Sequence, residues 1–322
     1  MSAAERQYRL DGLVPDNLLA FLALLGLLRS LEEVDPSWQP RVAWTVDAPP
    51  MRPLLTLART TGRDEIVAAA AAGLNRLAER HDFAPHKNLR LLREAATERL
   101  RDAASTGDRY TADLWAALVS DAAVRERNKT TEAEPTPFCL MFGQGHQYFL
   151  DRLGAVPRQR MPDRGSRRSP LSVSETECLR DALFTTWARP DANPSFRWDP
   201  HEDVRYAHRA TDPTDPRTKQ RTEHGANRLA AVGLAVLTVV PRRRAGEPRL
   251  EVLGGDRGAD GSFSFSWPIW RDQISLAAIR ALLGHPGLDD PATRAALGVV
   301  DRRRTRRIST GKFMNFTPAE AR

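Results

Sequence analysis

Residues 18–34 read LLAFLALLGLLRSLEEV. Until Arg29 nearly every position is apolar, so a helix here has no polar face to turn toward water. Such a helix belongs at the centre of a fold, with other elements packed around it. The preceding Pro15-Asp16-Asn17 supplies a start, because Asp16 or Asn17 can accept hydrogen bonds from the first free helix amides. Gly26 costs about 1 kcal/mol against Ala in a helix interior. Its presence predicts close approach by the backbone of another element. The apolar run over residues 18–28 is too short to span a bilayer, which takes roughly 20 residues.

Working outward, residues 8–13 and 42–46 read as short strands on either side of this helix. Helical spacing of apolar residues predicts helices over 64–80, 89–104 and 111–124. Residues 125–135 are charged and lack apolar anchors, which predicts a loop. Residues 172–188 read as a helix opened by a capping box, Ser174 with Glu177. Residues 227–240 read as a buried helix or strand. Residues 241–244 form a basic hairpin, and 250–270 read as two strands around 254–261, with Phe263, Phe265 and Trp267 alternating. A helix over 274–283 stops at Gly284 and Pro286. The expected fold is α+β, with a helix-rich N-terminal half and a mixed α/β C-terminal half around one or two packed cores. The expected divisions are a helical lobe 1–155, a basic loop 156–170, a mixed lobe 171–300 and a basic tail 301–322.

The charge balance narrows the partners. Lys and Arg number 48 against 41 Asp and Glu, a net charge of +7. The only lysines are Lys87, Lys129, Lys219 and Lys312. A surplus carried by guanidinium groups favours an anionic partner, nucleic acid being the commonest, and offers phosphate the bidentate geometry that Lys lacks. Three segments concentrate it: Arg158, Arg160, Arg164, Arg167 and Arg168; then Arg242, Arg243 and Arg244; then Arg302, Arg303, Arg304, Arg306, Arg307 and Lys312. These are the expected phosphate contacts. Gln144, Asn227 and Asn315 are the candidates for base-edge or sugar contacts. Asn315 lies between Phe313 and Phe316, aromatics that can stack on bases.

Several chemistries find no support. The two cysteines, Cys139 and Cys178, form no CxxC, so neither a zinc site nor a disulfide framework is expected, and a reducing cytoplasm is. Gly143-Gln144-Gly145 lacks the longer dinucleotide fingerprint and a P-loop lysine, so no cofactor is expected. No GxSxG elbow is present. No signal-peptide pattern opens the chain, and no membrane association is expected.

One polar stretch remains, residues 196–234, FRWDPHEDVRYAHRATDPTDPRTKQRTEHGANRLAAVGL. A long loop needs a reason in a compact domain. Within it no HExxH, HxH or HD spacing asks for a metal. Arg197, Asp199, Asp203, Arg205, Tyr206, Asp212 and Arg228 are expected to form a structural network of Arg–carboxylate pairs. The alternative is a metal-dependent nuclease using His201, Asp203, His208 and His224.

Two blocks carry a resemblance. The first is LDGLVPDNLLAFLALLGLLRSLE, through Gly12, Pro15, Asn17, Phe21, Leu22, Gly26, Leu27 and Leu28. The second lies in the polar stretch, through Arg197, Trp198, Asp199, Pro200, Asp203, Arg205, Tyr206, Asp212, Pro213, Gly225, Ala226, Asn227 and Arg228. Together they cover about a fifth of the chain. They resemble type I-U (I-G) CRISPR-associated Cascade subunits of the large-subunit class. That resemblance implies a non-enzymatic, antiviral-defence ribonucleoprotein subunit. Its implied partners are crRNA, double-stranded target DNA near the PAM, other Cascade subunits and the helicase–nuclease effector.

Overall fold

A computed structural model describes residues 6–127, 129–142, 147–166, 169–202, 221–244, 246–258, 260–310 and 313–322. Along the chain come β1 (Arg6–Arg9), α1 (Leu18–Val34), β2 (Arg41–Trp44), β3 (Pro53–Leu57), α2 (Arg63–Glu79), α3 (Arg93–Ser105) and α4 (Arg109–Leu118). Next are β4 (Val124–Arg127), β5 (Thr130–Ala133), α5 (Phe149–Arg158), β6 (Arg164–Ser166), β7 (Ser169–Leu171), α6 (Glu175–Phe184) and α7 (His224–Gly233). The chain continues with β8 (Val239–Arg244), β9 (Glu247–Val252), β10 (Gly255–Arg257), β11 (Phe263–Trp270), α8 (Leu276–Leu283) and α9 (Pro291–Ala296). It closes with β12 (Val299–Thr310), β13 (Phe313–Phe316) and β14 (Glu320–Ala321). Helices dominate the first half and sheets the second, an α+β fold.

Helix α1 sits at the centre, as its composition requires. Asn17 caps it, its side chain accepting from the Ala20 amide. A Cβ on Gly26 would lie 1.9 Å from the Leu229 carbonyl oxygen of α7, and one on Gly233 of α7 would lie 2.2 Å from the Leu22 oxygen. The two helices therefore cross with paired glycines at the contact, closer than any side chain permits. On another side of α1, Gly73 of α2 meets the Ser30 oxygen in the same way. On a third, Phe21 stacks on Trp267 of β11 with ring centroids 5.2 Å apart.

Strand β11 is buried along all eight residues. It lies between β10 and β12 in a five-stranded antiparallel sheet, whose far edge is made by β13 and β14 pairing with successive parts of β12. A three-stranded sheet, β1-β3-β2, is tied to this region by Trp270, whose indole donates to the Val42 carbonyl at 2.7 Å. One hydrophobic cluster runs through all of it, from Tyr8 to Ala319. The segments expected as separate lobes, 1–155 and 171–300, share that core because α7, from the second, is built into the helices of the first.

Three expectations change. Residues 125–135 are not a loop: β4 and β5 pair in register from Val124↔Ala133 to Arg127↔Thr130. The 156–170 segment opens with the end of α5 and carries the β6–β7 pairing. The 301–322 segment is no tail. Strand β12 pairs with β11 over most of its length, and alternation puts Arg303, Thr305 and Arg307 on one face and Arg302, Arg304 and Arg306 on the other. Its arginines stand in a strand because carboxylates meet them: Asp289 for Arg302, Asp301 for Arg303 and Asp256 for Arg304.

Candidate nucleic-acid interface

Five arginines gather where β4–β5 faces the C-terminal sheet. A cavity of about 380 Å³ opens there, lined by Arg90, Arg125, Arg127, Arg257 and Arg307 with Glu126, Glu132 and Glu134, and by Phe142 and Met314. These charges sum to +5 −3 = +2.

The hairpin positions the first wall. Arg125 and Arg127 project from β4, and Glu134, directly after β5, is buried. Glu134 accepts from Arg125 Nη2 at 2.5 Å, from Arg257 Nη2 at 2.8 Å and from the Leu250 amide at 3.0 Å. One carboxylate thus anchors two guanidiniums and one strand of the β8–β9 hairpin. Arg257 also donates from Nε to the Leu250 carbonyl at 3.2 Å. Arg307 has no carboxylate partner among the described residues: it donates to the Pro137 carbonyl at 3.2 Å and lies over the Phe263 ring at 5.6 Å. Arg90 covers the Phe142 ring at 4.9 Å.

Burial lowers the pKa of Arg257, and the nearby Arg125 and Arg249 lower it further against the pull of Glu134. Burial also lowers that of Arg307, with Arg257 adding to the effect. Like charges pressed together beneath a few carboxylates form a site that an anion relieves. Both guanidiniums remain cationic at neutral pH, since arginine keeps its proton in proteins.

Of the described residues singled out from sequence, Arg307 alone lines this groove. Arg158 is exposed, but its guanidinium donates to the Ala78 and Glu79 carbonyls and caps the end of α2. Arg160 is exposed. Arg164 is held by Asp191 and Asp181; burial works against its charge, yet those two carboxylates outweigh it and push its pKa up. Arg242 pairs with Glu251, Arg243 is exposed, and Arg244 ends β8. Arg302, Arg303 and Arg304 are committed to the carboxylates named above. Arg306 is 68% exposed, with Glu320 at 3.8 Å. Arg167, Arg168, Lys312 and Gln144 lie outside the described residues.

The two asparagines separate. Asn227 cannot read a base: it is fully buried, donating to Thr222 Oγ1 and the Glu223 carbonyl and accepting from the Phe196 amide. Asn315 stands opposite Ile308 in β13, and its Oδ1 is without a hydrogen-bond partner among the described residues. By strand alternation it faces away from Met314 and the groove.

The groove residues that sequence reasoning missed are Arg90, Arg125, Arg127 and Arg257. The alternation VRER before TTEA was the available signal for the hairpin.

Most of the described residues of the polar stretch are buried and hydrogen-bonded. Asp199 accepts from Arg189 Nε at 2.6 Å, from Asn17 Nδ2 at 2.8 Å and from the His201 amide at 2.9 Å. Arg189, which lies outside the expected set, is thus its guanidinium partner. Arg197, buried with a φ of 64°, donates to Gln147 Oε1. Arg228 is wholly buried and ion-paired with Glu175 at 2.7 Å; it also donates to the Pro157 carbonyl and to Asn75 Oδ1. Asp203, Arg205, Tyr206, His208 and Asp212 lie outside the described residues.

His224 is buried at the start of α7 with Nε2 against the Gln159 carbonyl at 2.7 Å; burial lowers its pKa to about 4. Burial and the neighbouring Asp191 push Glu223 up to about 7. Among the described residues no three His, Cys, Asp or Glu side chains come together as a metal site. No described helix is long and apolar enough to cross a membrane.

No protein-family model, curated protein or solved structure matches this chain. The functional reading therefore stands on its own residues and on the two resembling blocks.

Proposed function

We propose that this protein is a non-catalytic nucleic-acid-binding subunit of a crRNA-guided type I CRISPR surveillance complex, gripping a sugar–phosphate strand in the β4–β5 groove. The observation that carries the binding reading is the surplus of guanidiniums there: Arg90, Arg125, Arg127, Arg257 and Arg307 share the groove with three glutamates. The assignment to a CRISPR complex comes from the resembling blocks alone. In such complexes base pairing reads the sequence, and the protein holds backbone and a short duplex motif. The groove suits that task, since guanidinium forks hold phosphates in register without reading bases. Implied partners are crRNA, target DNA, neighbouring Cascade subunits and the helicase–nuclease.

The test is the salt dependence of binding. Arg90, Arg125 and Arg127 are exposed, so their replacement by Gln leaves the core alone. Replacing all three lowers the slope of log K against log salt by up to about three units on RNA or duplex DNA. An unchanged slope rejects the groove as the interface. Sequencing RNA that co-purifies with the native protein tests the complex. Magnesium-dependent cleavage by the purified chain would reject a non-catalytic role.

A further inference from the structure

A second cavity, about 650 Å³, opens among α1, α4 and α8, with Val236 and Thr238 on its rim. Its polar end places three guanidiniums on one carboxylate. Asp113 is nearly buried and accepts from Arg29 Nη2 at 2.9 Å and Arg109 Nε at 3.0 Å. Arg280 reaches it only at the limit of hydrogen bonding, from Nη1 at 3.4 and 3.5 Å, and its Nη2 donates to Thr238 Oγ1 at 3.1 Å. With Glu32 also in the wall, three guanidiniums face two carboxylates, a surplus of one positive charge. Burial raises the pKa of Glu32, the other acid in the wall, although Arg29 pulls the other way. Arg29 Nε is buried without a hydrogen-bond partner among the described residues.

A structural junction among these helices needs Asp113 with Arg29 and Arg280. It does not need Arg109, whose side chain is 74% exposed and adds a third positive charge at the mouth. Beyond the charged end the wall turns apolar through Val236, Leu253, Leu276, Ala277 and Ala281.

We propose that this cavity binds a phosphate monoester carried on a flat apolar body, as in a nucleoside monophosphate or the 5′-terminal nucleotide of a strand. A phosphate monoester offers three strong acceptor oxygens to the three guanidiniums, and a carboxylate only two. Guanidinium forks fit its oxygens in pairs. The apolar wall has no use for inorganic phosphate but accepts a base. The inference stands apart from the β4–β5 groove, which shares no residue with it.

The experiment is calorimetric titration of the full chain with AMP and with inorganic phosphate. Fluorescence titration with one oligoribonucleotide, bearing either a 5′-phosphate or a 5′-hydroxyl, runs alongside. AMP binds about tenfold or more tighter than inorganic phosphate. Arg109→Gln weakens AMP by about tenfold or more, and Ala277→Trp, at an exposed position of the wall, removes AMP binding while leaving Tm in place. A 5′-phosphate that strengthens the oligonucleotide and is competed by AMP assigns a strand end. AMP binding without that gain assigns a free nucleotide. The proposal is overturned if AMP binds no better than phosphate, or if both variants bind AMP like the native chain. Neither variant alters the salt slope set by Arg90, Arg125 and Arg127, so failure here is distinct from failure of the groove.

Discussion

Arg228 and Arg307 are both arginines taken largely out of water, and the molecule treats them in opposite ways. Arg228 meets a carboxylate, two backbone carbonyls and an amide oxygen. Arg307 meets one carbonyl and one aromatic face, with Arg257 close enough to lower its pKa further. Both are lowered first by burial. The difference is the use to which the charge is put. A buried guanidinium whose donors are matched holds elements in place; one left under-matched beside an open groove keeps capacity for an external anion. Net charge alone cannot distinguish the two populations.

The sharpest way to break this comparison is to truncate the matched side. Arg228→Ala leaves Glu175 without its cation and two carbonyls without a donor. The expected cost is about 3–5 kcal/mol in urea unfolding, the size seen when one partner of a buried pair is removed. A groove variant of Arg90 and Arg127, which meet no carboxylate among the described residues, leaves the urea midpoint in place and moves only the salt slope. If Arg228→Ala proves no more destabilising than the groove variant, the division between matched and under-matched arginines fails.

A second effect is read as pH dependence in the matched region. His224 and His81 are both lowered to about 4 by burial, from an ordinary 6.5. Between those values the unfolded chain binds protons that the folded chain does not. Stability therefore falls as pH drops from 6.5 toward 4, by on the order of 3 kcal/mol for each histidine. Glu223 works the other way, with a folded value of about 7 against 4.5. There the folded chain holds the extra proton, and stability is lost as pH rises from 4.5 through 7. Glu223→Gln keeps the neutral form at every pH. It raises Tm at pH 8 and changes it little at pH 4, measured by thermal melts across that range. Equal shifts at both ends would show that Glu223 is not protonated in the folded protein.

The smallest effect belongs to Arg306, exposed on the outer face of β12. Arg306→Gln leaves Tm unchanged and alters the salt slope by less than about one unit if the groove is the main contact. A larger drop would move the interface to the outer face of the sheet.

Legibility from sequence differed sharply between the frame and the candidate interface. The centre of the frame was readable in the apolar run of α1, the Asn17 cap, the meaning of Gly26 and the Ser174–Glu177 capping box, all of which rest on contacts a few residues apart or on patterns with no polar face. The capping box is present with both reciprocal bonds. The interface was not readable in the same way. The densest basic run, residues 302–307, proved to be a strand whose neighbours carry the neutralising carboxylates. The sparser Arg90, Arg125, Arg127 and Arg257 come together only when β4–β5 meets β10 and β12.

By itself the sequence determined where the chain is apolar, where helices begin and how much positive charge the protein carries, because those properties belong to single residues and their near neighbours. Only the tertiary structure decided which arginines are neutralised. An ion pair depends on which carboxylate arrives within a few ångströms, and Arg228 with Glu175, Arg257 with Glu134 and Arg302 with Asp289 are separated by 53, 123 and 13 positions respectively.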